Sequence, residues 1–116
     1  MKKLFVSVPM RGRTAEAIKH SMAKMHKIAE AYEGRELELI DTYFTDELPN
    51  NINNSIWYLG KSLEKLAEAD LFIGIEEAEH WHGCYVEKVV AERYGIESYI
   101  VPVSFVINKE EDCFYG

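Results

Sequence analysis

The chain reads as an α/β domain, a three-layer sandwich in which helices cover both faces of a mainly parallel sheet of four to five strands. Three observations predict it. Short β-rich runs alternate with stretches of helical period along most of the chain. Residues suited to start and stop helices bound those stretches. At 116 residues the chain fits one domain, residues 1–116, with a modest core.

Each element follows in order. "KLFVSVP", residues 3–9, is the first strand. "TAEAIKHSMAKMHKIAEAYEG", residues 14–34, places Ile18, Met22, Met25, Ala29 and Tyr32 at helical spacing. Thr14 suits its N-cap and Gly34 its stop. "LELID" predicts a second strand ending near Asp41, followed by a long polar stretch from Thr42 to Asn54. "SIWYLGKSLEKLAEA" sets Ile56, Leu59, Leu63 and Leu66 on one helical face, with Gly60 inside the pattern at some cost. "DLFIGI" is the third strand and "EEAEHWHG" a loop. "CYVEKVVAERYG" is a helix with Val86, Val89 and Val90 inward and Gly95 as its stop. "ESYIVPVSFVI" is extended, in one piece or two, with Pro102 as the break.

Right-handed crossovers leave few topologies, and the flavodoxin-like, Rossmann-like order 2-1-3-4 satisfies them. Its switch point lies between strands 1 and 3, where ligands bind at the carboxyl ends. Two loops reach that place: "MRGRT" after the first strand and "EEAEHWHG" after the third. In the first, Gly12 permits close backbone approach, the next helix offers free N–H groups, and Arg11 and Arg13 suit phosphate or carboxylate. The plain alternative is a turn with solvated arginines. Glu87 falls near the start of the last helix, where the dipole favours an ionised carboxylate fit to act as nucleophile or base. Glutamate is also common there for helix stability alone.

These motifs together carry a resemblance. "FVSVPMRG" resembles the first strand of the nucleoside 2-deoxyribosyltransferase-like superfamily, nearest to a small, often phage-associated branch whose strand reads like "YISGPMTG". The "RG" is similar to the "SIRGG" loop with which deoxynucleoside monophosphate N-glycosidases grip a 5′-phosphate. "LAEADLFIGI" and "WHGCYVE" match the superfamily's hydrophobic strand and its Gly with a Glu four residues on. The matches span roughly residues 3 to 101.

The resemblance implies cleavage of the N-glycosidic bond of a 2′-deoxynucleoside or its monophosphate, as a transferase or a hydrolase, by retaining chemistry with Glu87 as nucleophile. It implies a substrate-binding set of Phe5, Ser7, Pro9, Met10, Arg11, Gly12 and Arg13, with Asp41, Ser62, Trp81 and Gly83. No cofactor is implied. Homo-oligomers are, with the segment after the last strand, including Phe105, Phe114 and Tyr115, reaching a neighbour's site. The chain also departs from the pattern. Phe5 stands where an orienting tyrosine is usual, Val8 where a glycine is, and Ser62 where an aspartic acid protonates the leaving base. Asp41, Glu76, Glu77 and Glu79 are substitute acids. A nucleotide-binding or sensing module without turnover therefore stands beside the enzyme.

Composition narrows the partners to small molecules. A net charge of −7 opposes binding to a nucleic-acid polymer, and no run is long enough to cross a bilayer. The opening "MKKLFVSVPM" meets glycine and arginine too early for an export signal, so the reading is cytoplasmic, with free thiols at Cys84 and Cys113. His80, His82 and Cys84 alternate in "HWHGC", but three ligands so close need a distant fourth, so no metal is expected. His20 and His26 read as surface residues.

Overall fold

The computed structural model describes residues 1–10, 12–42, 44 and 48–105. Its elements are β1 (Lys3–Val6), α1 (Ala15–Glu33), β2 (Glu38–Leu39), α2 (Asn54–Leu66), β3 (Leu71–Ile75), α3 (His82–Arg93) and β4 (Glu97–Val101), with 3-10 turns at Ala78–His80 and Val103–Phe105. Among the described residues there are four strands, all parallel, in the order β2-β1-β3-β4. The predicted flavodoxin-like α/β sandwich is what forms. No described helix is long and apolar enough to cross a membrane.

The pleat of β1 sends alternate residues to opposite faces. Leu4, Val6 and Val8 join the core under α1, with Ile18, Met22, Met25 and Ala29 from that helix. Phe5 joins the opposite core with Leu66 of α2, Phe72 of β3 and Ala91 of α3. Phe5 pairs with Phe72 in the strand register, and their rings stack at 5.9 Å with planes 11° apart. Gly74 makes that stack possible, because a Cβ there would lie 2.7 Å from the Phe72 ring.

α1 begins and ends as its sequence directs. Thr14 caps it, its hydroxyl accepting from the Ala17 N–H at 3.1 Å. Gly34 ends it in the left-handed region at φ +74°. Asn53 caps α2 in the same way, accepting from Ile56 N–H at 3.0 Å.

Five predicted details differ. Tyr32 is not core: it is 54% exposed and leans on Tyr99 at 5.2 Å. On α2 only Leu66 is fully buried; Leu63 and Leu59 are half-buried, and Ile56 is 67% exposed. Burial of the apolar stripe therefore falls off towards the N-terminus of the helix. On α3 the buried stripe is Cys84, Glu87 and Ala91, with Val86, Val89 and Val90 at its margins. The last extended segment ends at Val101; Pro102 brings no N–H to a ladder and a 3-10 turn follows. His26 is half-buried, its Nε2 2.7 Å from the Leu37 carbonyl and 3.4 Å from Glu30, so it ties α1 to the start of β2.

Candidate functional site at the carboxyl edge of the sheet

The switch point lies between β1 and β3. Ser7 extends β1 there, its N–H donating to the Ile73 carbonyl at 2.9 Å. It follows Phe5 on the α2/α3 face and stands beside Gly74 in the continued register. Two small residues thus leave a gap at the sheet edge. Glu87 fills it from α3.

Glu87 is the sixth residue of α3, in its second turn; the first turn carries no acid. The expected dipole support therefore fails, because the field of a helix end fades within one turn. The carboxyl is instead only 9% exposed, and burial pushes its pKa up from 4.5 to about 7. Two hydroxyls work against that rise. Ser7 Oγ donates to Glu87 Oε1 at 2.7 Å, and the Ser62 hydroxyl of α2 also hydrogen-bonds the carboxylate. Ser7 and Ser62, expected to bind substrate, are thus first of all partners of Glu87.

Cys84 completes the group. It lies three residues before Glu87 on the same helix face and is 5% exposed. Burial pushes its thiol up to about 12, with the Glu87 charge acting the same way; a hydrogen bond with Ser7 and the Arg13 charge act against it. The thiol is therefore protonated at neutral pH. His80 and His82 are exposed, so the alternating His-x-His-x-Cys run is split between solvent and interior.

The loop after β1 turns through Gly12 at φ +76°, a conformation that favours glycine. Arg13 N–H closes the turn onto the Met10 carbonyl at 3.2 Å. The Arg13 guanidinium donates to the Pro9 carbonyl at 2.8 Å, the Ala17 carbonyl at 3.3 Å and Ser21 Oγ at 2.7 Å. Much of its hydrogen-bonding capacity is spent clamping the loop to α1. What Arg13 still offers an anion is chiefly its charge. Met10 packs against the α1-side core, and Arg11 lies outside the described residues.

The remaining predicted residues divide. Gly83, one helical turn before Glu87, is exposed with no described atom within 4 Å of where a Cβ would stand. Trp81 is half-buried against the α1-side core, with His80 edge-on at 5.9 Å. Asp41, Glu76, Glu77 and Glu79 are exposed, and Phe5 is a core residue with no polar atom to offer. Phe105 is exposed, while Cys113, Phe114 and Tyr115 lie outside the described residues.

Cys84 and Ser21 were not singled out in this connection from sequence. The signal for Cys84 was its i, i+3 spacing to Glu87; nothing in the sequence marks Ser21 as an acceptor for Arg13. Compared with family models, with curated proteins and with solved structures, the chain matches none.

Proposed function

We propose that this protein acts on the N-glycosidic bond of a nucleoside or nucleotide, as a deoxyribosyltransferase or a deoxynucleoside monophosphate hydrolase, with Glu87 as nucleophile. One observation carries the reading: a single buried carboxyl, held by hydroxyls from two other elements, sits at the carboxyl end of β1 and β3 beside the switch point. A Glu87 oxygen attacks C1′ of the sugar. The C1′–N bond breaks, its electron pair leaves on the base nitrogen, and the base takes a proton. Water or a second base then attacks C1′ and releases the carboxylate, with net retention. The attacking form is the ionised one, so the rate rises with pH through about 7.

A second reading, a nucleotide-binding module without turnover, draws on Ser62. At the position where the resemblance implies an acid, Ser62 holds a hydroxyl bonded to Glu87. The leaving base must find its proton elsewhere, and a missing general acid costs on the order of 10²–10⁴-fold. Under either reading the assembly is a homo-oligomer, and sedimentation as a monomer removes that part.

The deciding experiment incubates the protein with deoxynucleosides and their monophosphates, with Glu87→Gln alongside. Free base is followed by chromatography and the glycosyl ester by intact mass. Base release or an adduct of deoxyribose mass, absent in Glu87→Gln, supports the enzyme; ligand-induced thermal stabilisation without turnover supports the binding module. Gly83→Leu adds a control. It places a side chain over the approach to Glu87, so both signals fall while Tm of the free protein holds within a few degrees.

A further inference from the structure

We propose that Ser7 is the positioning residue for Glu87, and that with the Ser62 hydroxyl from α2 it aims the carboxylate at the substrate. For the reaction it serves, this rests on the function proposed above; for the geometry, it stands alone.

The backbone of Ser7 cannot drift, since its N–H is bonded to Ile73 within the sheet, and the residue is only 2% exposed. Its hydroxyl proton is committed to Glu87 Oε1 at 2.7 Å. The direction is therefore Ser7 O–H to Glu87 Oε1. Cys84, three residues before Glu87 on the same helix face, is a buried neutral thiol beside this group. Ser62 approaches from α2, so β1, α2 and α3 all hold one carboxyl group. A carboxylate offers about four acceptor sites. Two hydroxyls fix its plane and leave lone pairs to attack with. The Arg13 charge also acts on the thiol, from the loop before α1. Phe5, the neighbouring β1 side chain on this face, is stacked on Phe72 and takes no part.

The test follows the Glu87 side-chain carboxyl directly, by NMR titration of protein labelled with ¹³C at glutamate. In Ser7→Ala the ionised form loses a charge-assisted donor, and its midpoint rises by about one pH unit or more. Ser7→Thr, which keeps the hydroxyl, returns the midpoint to the wild-type value. Cys84→Ala, which removes no donor to the carboxylate, moves it less than Ser7→Ala. Where base release is measurable, the acid limb of kcat/KM shifts with the midpoint, and kcat falls without a matching change in KM. Should Ser7→Ala not fold, Ser62→Ala carries the same prediction from the middle of α2.

The outcomes separate. A wild type that titrates with Ser7-dependent midpoint but releases no base refutes the proposed reaction and keeps the positioning set. A folded Ser7→Ala protein with an unmoved Glu87 midpoint overturns the positioning set, whatever the activity.

Discussion

The two faces of this sheet are built by opposite rules. Under α1 the buried set is apolar apart from Ser21, along the helix stripe and across three strands, from Leu4, Val6 and Val8 through Ile73 and Ile75 to Val101. On the α2/α3 face an apolar floor of Phe5, Phe72, Leu66 and Ala91 gives way, towards the carboxyl edge, to Ser7, Ser62, Cys84 and Glu87. The first face stabilises the fold. The second gives up stability at its upper end to hold a carboxyl group that burial disfavours. That local cost, set in a scaffold held together elsewhere, is what marks the site.

The comparison breaks if truncation under α1 is cheap. Met25 is fully buried there, and Met25→Ala costs about 2–5 kcal/mol in denaturant unfolding. A loss below 1 kcal/mol would mean that the two faces do not divide the work in this way.

It sharpens with pH. The Glu87 pKa stands at about 7 in the fold and near 4.5 in the unfolded chain, so between those values the native state holds more proton than the unfolded state. The Glu87 contribution to stability is therefore most favourable below pH 4.5 and falls as pH rises to 7, by up to about 3 kcal/mol. Glu87→Gln has no proton to lose, so its stability relative to wild type climbs across the same window. Parallel stability curves for the two proteins from pH 4.5 to 7 would contradict a buried, hard-to-ionise Glu87.

The smallest effect lies at the outer end of α2. Ile56 is 67% exposed, so Ile56→Ser changes stability by about 0.5 kcal/mol or less in the isolated chain. A larger loss that depends on protein concentration would show a partner covering this stripe.

Much of the architecture was readable in advance because it depends on local periodicity and caps. Thr14 and Gly34 bound α1 where their chemistry says they must, and Ile18, Met22, Met25 and Ala29 repeat often enough to define its inner face. The same logic failed where side-chain chemistry and burial disagree. Val86, Val89 and Val90 look like the inner stripe of α3, yet Glu87 and Cys84 lie deeper. A glutamate in a buried stripe breaks the pattern on which sequence reading relies. Ile56 failed for the opposite reason: it repeats correctly, but at the outer end of α2 no core reaches it.

The order of elements and the parallel sheet were legible in the residues, because these follow from period, capping and the handedness of crossovers, and they set the edge where the candidate site is sought. The sequence also singled out Glu87. Only the tertiary structure decided what surrounds that residue. Ser7, Ser62 and Cys84 come from the end of β1, from α2 and from α3, and Ser7 stands 80 positions from Glu87 along the chain. Whether a hydroxyl faces a ligand or a carboxylate, and whether that carboxylate is ionised, depends on burial and hydrogen-bond geometry that exist only once the three elements have packed.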